Sequence, residues 1–176
     1  LLTTHLEQSE QLVTDLELFL RIQGCKFPVS LFPPLEVPTA WSISLQRELT
    51  GQRMKALFTV LEEKHSILVV PLIAALQPVP PPGWLRQSAL QLRKGETIDR
   101  EELMARLVSR GYHRAETVER PGEFAGRGGI VDIYGSSLEQ PVRLELFGDS
   151  LESIREFDSI TQKSIGSIEG ILILPA

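Results

Sequence analysis

Apolar residues in the first half of the chain form two kinds of pattern. A 3.6-residue period predicts amphipathic helices over residues 5–22 and 45–61. Short, continuous apolar runs at residues 28–32 and 67–70 predict strands between and after these helices. Helices that alternate with strands are typical of a parallel α/β sheet, so we expect one in this half of the chain.

The second half of the chain changes to the period-two alternation of an antiparallel sheet. Its predicted strands cover residues 89–92, 129–134, 141–147, 151–157 and 168–174. A tight turn at Gly148-Asp149 joins two of them. A helix begins at Asp99, which forms a capping signature with Glu102, and it ends before Gly111.

Proline marks the boundary between the two halves. Residues 78–82 hold four prolines in five positions, which predicts a stiff, extended connection and a domain boundary. At the start of the chain, Leu1-Leu2 followed by Thr4 and Glu7 indicates a strand that enters a helix through a capping box. We therefore expect the chain to begin inside a fold and to be part of a longer protein. If the last strand rejoined the first sheet, the second half would be an insertion.

Composition restricts the class of protein. Hydrophobic residues make up 42% of the 176 positions and charged residues 23%, which is sufficient for a packed core. The 18 Lys and Arg residues against 23 Asp and Glu give a net charge of -5, whereas proteins that bind phosphate backbones carry excess positive charge. The longest apolar run, residues 67–76, is shorter than a membrane span. Cys25, the single cysteine, excludes an intramolecular disulfide and a cysteine-cluster metal site.

The sequence lacks the motifs of the common catalytic sites. It has no Gly-x-x-x-x-Gly-Lys-[Ser/Thr] phosphate loop. Gly126, Gly128 and Gly129 precede a predicted strand, and we interpret them as a turn. The three histidines fall in separate segments and predict no metal site: His5, His65 and His113. We therefore expect no catalytic residue, no cofactor and no metal in this chain.

Arginine and aromatic side chains concentrate between the last predicted helix and the strands that follow it. Arg114 and Arg127 lie on or beside strands, near Tyr112 and Phe124, which we expect to be exposed. Arginine and aromatic residues dominate interaction hot spots, and a guanidinium binds a carboxylate through two hydrogen bonds. The residues alone leave two alternatives open: an interaction hot spot, or a structural role in which Arg114 forms a local ion pair with Glu116 or Glu123 and Phe124 lies in the core.

Three motifs in this half of the chain are similar to a known family. They are Gly111-Tyr112-His113-Arg114, residues 118–133 (Val-Glu-Arg-Pro-Gly-Glu-Phe-Ala-Gly-Arg-Gly-Gly-Ile-Val-Asp-Ile) and residues 141–149 (Pro-Val-Arg-Leu-Glu-Leu-Phe-Gly-Asp). They resemble the bacterial transcription-repair coupling factors (Mfd), which are related to the nucleotide-excision-repair protein UvrB. The likeness extends to Leu31-Phe32-Pro33 and to Leu174-Pro175-Ala176.

The resemblance implies a fold and a partner. It implies a partial, degenerate RecA-like parallel-sheet domain at residues 1–78 and 163–176, with a small α+β domain containing an antiparallel sheet inserted at residues 79–162. It implies that the inserted domain is a non-catalytic docking surface for UvrA, the damage-recognition ATPase, within an ATP-dependent DNA translocase of the bacterial cytoplasm. ATP, Mg²⁺, RNA polymerase and DNA would bind other regions of that protein, and no membrane is implied. The alternative is a piece of UvrB, or of another helicase-like repair enzyme that binds DNA and nucleotide.

The resemblance also implies roles for individual residues. Arg114 and Arg127 would pair with acidic groups on UvrA, with Phe124 and Ile133 as apolar support and with Glu123 and Tyr112 in the same surface. The sequence departs from the family pattern at Gly126, Tyr134-Gly135, Ser150 and Ser159. Gly126 stands where valine or threonine is usual, and we expect it to loosen the strand that presents Arg127 and to weaken binding.

Overall fold

The computed structural model describes residues 1–35 and 43–176, with the backbone alone for residues 43–45. The chain divides into two compact units, residues 1–86 and 87–176. The elements that begin in the first unit are β1 (Leu2–Thr3), α1 (Leu6–Ile22), β2 (Val29–Leu31), α2 (Ile43–Glu62), β3 (Ile67–Pro71), α3 (Leu72–Ala75) and α4 (Pro82–Ser88). The second unit holds β4 (Leu90–Arg93), α5 (Arg100–Ser109), β5 (His113–Arg114), β6 (Glu123–Arg127), β7 (Ile130–Tyr134), β8 (Val142–Phe147), β9 (Ser150–Phe157), β10 (Ser164–Ile168) and β11 (Gly170–Ile173).

Three parallel strands form the sheet of the first unit, in the order β1-β3-β2. Helices α1 and α2 contact this sheet. Phe32 follows β2 and packs in a small core with Ala56 of α2 and Ala74 of α3. The guanidinium of Arg53, on α2, is buried over the ring of Phe32 and donates to the carbonyl oxygen of Pro33 at 2.8 Å. The parallel α/β arrangement predicted for this half of the chain is therefore confirmed.

Two local predictions in the first unit are corrected by the structure. α1 begins at Leu6 with His5 as its N-cap, and His5 makes no side-chain capping hydrogen bond. The hydroxyl of Thr4 donates to Gln8 Oε1 at 2.7 Å, so the predicted capping box at Thr4 is wrong. α4 begins at Pro82, inside the predicted extended connection, because proline is tolerated in the first turn of a helix, where no N–H donor is needed.

The second unit is built on a six-stranded sheet in the order β10-β9-β8-β7-β6-β5. All neighbours are antiparallel except β5 and β6. The predicted capping signature of α5 is confirmed, since the Asp99 carboxylate accepts a hydrogen bond from the Glu102 backbone N–H at 2.7 Å. Gly111, which follows α5, has a φ of +90°, a conformation that glycine adopts without strain.

One side of the six-stranded sheet packs against α5 and against a second, two-stranded sheet formed by β4 and β11. The buried residues of this core come from every layer: Leu90, Leu92, Leu103, Met104, Leu107, Tyr112, Phe124, Val131, Ile133, Val142, Leu144, Leu151, Ile154 and Ile173. Leu103, Met104 and Leu107 lie on one face of α5, which is the amphipathic pattern that the sequence predicts.

The last strand belongs to the second unit. β11 pairs antiparallel with β4, and Leu174, which follows β11, is buried. The Tyr112 hydroxyl donates to the carbonyl oxygen of Leu174 at 2.7 Å, and the Ser136 hydroxyl donates to that of Pro175 at 2.9 Å. These contacts correct the predicted return of residues 163–176 to the first sheet. The chain divides after residue 86, whereas the sequence predicts a boundary after residue 78.

Candidate functional site

The side of the six-stranded sheet that faces away from α5 carries charged residues. Side chains alternate between the two faces of a strand, so the residues between the core positions project to this second side. We call this side the charged face, and we define it by Arg127 of β6, Ile130 and Asp132 of β7, Arg143 and Glu145 of β8, and Ser153, Arg155 and Phe157 of β9. Strand register places Asp132 beside Arg143, and Arg143 beside Arg155.

Asp132 is the centre of the charged face. Its side chain is 1% exposed, and its two oxygens accept three hydrogen bonds from two arginines. Arg143 donates through Nε at 2.7 Å and through Nη2 at 2.8 Å, which is the bidentate geometry of a strong guanidinium–carboxylate pair. These bonds raise the pKa of the Arg143 guanidinium, which also lies over the ring of Phe157 at 4.7 Å. Asp132 and Arg143 therefore form a fixed, charged pair across β7 and β8.

A second ion pair lies beside the first. Arg155 Nη2 is 3.3 Å from Glu145 Oε2, and the Ser153 hydroxyl donates to the same carboxylate oxygen at 2.6 Å. Arg155 Nε is buried and has no hydrogen-bond partner among the residues that the structure describes. The charged face thus holds two neighbouring networks of ion pairs, formed by three arginines and two carboxylates.

Arg127 is the most accessible arginine of this face. Its side chain is 58% exposed, compared with 18% for Arg143 and 43% for Arg155. It holds Asp132 through a single 3.2 Å contact, while that carboxylate is already bound in bidentate fashion by Arg143. Within residues 1–35 and 43–176 the remaining donors of Arg127 have no partner, so they are available to a carboxylate on another molecule.

Three of the residues predicted for the site lie in the core. Tyr112, Phe124 and Ile133 are all buried, so the expectation that Tyr112 and Phe124 are exposed is wrong. Phe124 and Ile133 point to the apolar side of the sheet, which α5 covers. Burial raises the pKa of the Tyr112 phenol, whose hydroxyl also accepts a hydrogen bond from the Ser136 backbone N–H at 3.3 Å. The structure therefore places these side chains beneath the surface.

Glu123 and Arg114 lie at the β5–β6 edge of the sheet. The Glu123 carboxylate accepts hydrogen bonds from the backbone N–H groups of Glu119 and Arg120, both at 3.0 Å, and so closes the turn before β6. Arg114 is exposed, and within the described part of the chain it forms no ion pair with Glu123 or Glu116. Register places Arg114 beside Phe124, on the side of the sheet opposite Arg127. The two predicted arginines are therefore near the same edge but on different faces.

Gly126 lies within β6, beneath α5. It pairs with Val131, and a Cβ atom at this position would lie 2.7 Å from the sulfur of Met104 and 2.8 Å from Nη2 of Arg100. Side chains of α5 thus occupy the space that a larger residue would need. The predicted weakening of binding by Gly126 stays a prediction.

Sequence inspection missed most of the charged face. Asp132 and Arg143 alternate with buried apolar neighbours, Val131 and Ile133 around the first and Val142 and Leu144 around the second. That alternation assigns both residues to the same side of the sheet, but it does not give the register that pairs them. The pairing of β7 with β8 supplies that register.

The residues that the structure describes contain neither a metal-binding cluster nor a membrane-spanning helix. In this part of the chain no three His, Cys, Asp or Glu side chains are grouped so that they could hold a metal ion. No helix of residues 1–35 or 43–176 is both long enough and apolar enough to span a membrane.

A known protein family is similar to the unit that carries the charged face. Residues 90–176 match the model of the UvrB interaction domain. The whole chain is 35% identical to the transcription-repair-coupling factor of Bacillus subtilis (strain 168) and 34% identical to that of Staphylococcus haemolyticus. Over 84% of the chain, it is 33% identical to the corresponding factor of Haemophilus influenzae. The chain spans about 15% of the length of the first two relatives and 13% of the third.

Proposed function

The chain belongs to the family of transcription-repair-coupling factors, with residues 90–176 as its UvrB interaction domain, and from this premise we propose that the second unit docks UvrA. In this proposal the chain acts by binding and not by catalysis, and it recruits UvrA to nucleotide-excision repair of transcribed DNA. The observation that supports the proposal most strongly is the match of residues 90–176 to the family described as the UvrB interaction domain.

The rest of the family's activity is proposed for other parts of a longer protein. Because the chain spans about 15% of the relatives' length, binding of RNA polymerase and DNA, and ATP-driven translocation with Mg²⁺, are proposals about regions outside it. The three parallel strands of the first unit support its proposed identity as part of a degenerate RecA-like domain. We propose that residues 1–176 themselves work without a cofactor, since the sequence has no phosphate-binding loop.

The chemistry of the charged face supports an acidic partner surface. Arg127 offers exposed guanidinium donors beside a fixed Asp132–Arg143 pair. A carboxylate of UvrA that meets Arg127 would gain a charge-assisted, bidentate hydrogen bond. Arg114 is exposed on β5 but lies on the opposite face of the sheet from Arg127, so it lies outside the docking surface proposed here.

Reversal of one charge tests the proposed function. With the chain immobilised and UvrA in solution, we expect Arg127→Glu to weaken binding by about 2 kcal/mol or more, roughly thirtyfold, because a carboxylate would then face the acidic partner. Arg93→Glu is the matched control. Arg93 is exposed on β4, whose neighbours Leu90 and Leu92 pack into the core on the other side of the six-stranded sheet.

Folding of the variants is checked by thermal unfolding, and Arg127→Gln, which keeps a donor beside Asp132, serves as a gentler variant. Equal UvrA affinity for wild type, Arg127→Glu and Arg93→Glu would refute the assignment of Arg127. Hydrolysis of ATP or binding of duplex DNA by this chain would instead favour a helicase-like role.

A further inference from the structure

β4 has a strand partner on one of its two edges only. It pairs with β11, and within the described part of the chain no third strand joins this two-stranded sheet. Along β4, Leu90 and Leu92 are buried in the core, whereas Gln91 and Arg93 are exposed. The second edge of β4 can therefore accept a strand from another molecule.

The ladder between β4 and β11 identifies the backbone groups on this free edge. The Lys94 backbone N–H donates to the carbonyl oxygen of Glu169 at 3.0 Å. In an antiparallel pair, residues that bond the partner strand alternate with residues whose N–H and C=O point away from it, so Gln91 and Arg93 point away from β11. The Arg93 N–H donates to the Glu96 carboxylate at 3.0 Å, whereas the Gln91 N–H has no partner among the residues that the structure describes.

A crevice of about 320 Å³ lies between this edge and α5, on the side of the six-stranded sheet opposite the charged face. We call it the β4 groove, and we define it by residues 89–92 and 96–99 together with Glu102 and Arg106 of α5. An edge strand that faces a groove is the arrangement with which several domains bind an extended peptide as an added strand.

The two ends of the β4 groove differ in charge. α5 runs back along β4, because Arg110, its C-cap, donates to the carbonyl oxygen of Ser88 at 2.6 Å, just before β4. Arg106, about one turn before Arg110, therefore lies toward the start of β4. Asp99 and Glu102, at the beginning of α5, lie toward the end of β4, to which a short connection joins them. The groove thus has a basic end and an acidic end.

We propose that the β4 groove binds an extended peptide segment of a partner protein as a strand antiparallel to β4. The segment carries lysine or arginine near its amino end and aspartate or glutamate near its carboxyl end. In the antiparallel direction its amino end meets Asp99 and Glu102, and its carboxyl end meets Arg106. Gln91 exchanges backbone hydrogen bonds with the segment, and the charged ends fix its direction. This inference goes beyond the proposed docking of UvrA, since it concerns the other side of the six-stranded sheet.

A synthetic peptide, Lys-Lys-Thr-Val-Thr-Glu-Glu, tests the inference when it is titrated into the isotope-labelled chain and followed by NMR. We expect saturable changes in amide chemical shift at residues 89–92 and 96–106, with a Kd below about 1 mM. The control peptide, Lys-Glu-Thr-Val-Thr-Lys-Glu, has the same composition but no separation of charge between its ends. It should bind at least about threefold more weakly.

Two variants of the chain test the contacts. Gln91→Pro removes the backbone donor of the free edge, a position where a strand tolerates proline, and should weaken binding of the first peptide by about fivefold or more. Glu102→Lys reverses a charge at the acidic end and should weaken it by about threefold or more. Glu101→Lys is the matched control, because Glu101 lies in the same first turn of α5 but does not line the groove, and it should change binding by less than about twofold. Thermal unfolding checks that each variant retains the fold of wild type.

The inference is overturned if about 5 mM of the first peptide causes no saturable shift changes, or only changes on the charged face. Wild-type affinity in Gln91→Pro, or equal effects of Glu101→Lys and Glu102→Lys, would also refute it. Shift changes in the groove on concentrating the chain without peptide would show that a second copy is the occupant, which likewise overturns the inference. Arg127→Glu should leave peptide binding unchanged and Gln91→Pro should leave UvrA binding unchanged, so failure of one proposal is distinguishable from failure of the other.

Discussion

At the scale of single residues, the charged face depends on one buried carboxylate. Asp132 neutralises Arg143 and tethers Arg127, and it is the only acidic residue among the buried residues of the described chain. A buried carboxylate with three hydrogen bonds stabilises the native state mainly because its removal leaves guanidinium groups without a partner. The same residue therefore supports the second unit and positions the exposed arginine proposed to bind UvrA.

We predict that Asp132→Asn destabilises the second unit by about 2–4 kcal/mol, since one amide cannot replace the charge that two arginines share. Urea unfolding of wild type and variant measures the loss. Asp149→Asn, in an exposed turn, is the control and should change stability by less than about 0.5 kcal/mol. Similar losses for the two variants would show that Asp132 has no special role in stability.

Residue identity predicted some positions of the site and not others. Arg114 and Arg127 are exposed at or beside strands, as the sequence suggested. Tyr112 follows a helix-terminating glycine in no regular pattern, and its buried hydroxyl donates to the carbonyl oxygen of Leu174, 62 positions away. Local sequence patterns do not predict contacts between residues so far apart in the chain. The sequence therefore could not distinguish a core tyrosine from an exposed one.

At the scale of secondary-structure elements, two turns form the end of the sheet that carries Arg127 and Phe147. Gly129 lies so close to β8 that a Cβ atom would be 2.5 Å from the carbonyl oxygen of Leu146. Backbone cannot move aside as a side-chain terminus can. The close approach of β7 to β8 at this point therefore requires glycine.

Gly129→Ala should consequently destabilise the second unit by about 2 kcal/mol or more, as measured by thermal or urea unfolding. Gly126→Ala is the matched substitution, since its Cβ would meet only the ends of the Met104 and Arg100 side chains. We expect a change of less than about 1 kcal/mol there. A larger loss at Gly126 than at Gly129 would contradict this account of the two strands.

Periodicity predicted the elements that carry regular apolar patterns. The structure confirms the predicted positions of α1, α2, α5 and β7 to β9. Each of these elements buries one face, so its apolar residues have a regular spacing that can be read from the sequence. The sequence predicts no bounds for β5 and β6, although it places Arg114 and Arg127 on or beside strands, and it does not predict β10. β6 contains Ala125 and Gly126, and β10 consists of Ser, Ile and Gly, so their strand state comes from pairing with neighbours and not from intrinsic preference.

At the scale of the whole molecule, the second unit retains the strand that was expected to leave it. β11 completes a two-stranded sheet with β4, and Tyr112 and Ser136 hold the residues that follow. Composition predicted two parts separated by a proline-rich stretch, which the structure has. It could not predict which sheet would receive an apolar strand such as residues 170–173, because either sheet could bury it.

The central claim is that the charged face of the second unit docks UvrA, and the most direct test is hydrogen–deuterium exchange of the chain with and without UvrA. The account predicts slower exchange in β6 to β9, centred on the turns at residues 128–129 and 148–149, with exchange in residues 1–35 and 43–86 unchanged. Protection confined to the first unit, or no protection at saturating UvrA, would contradict it.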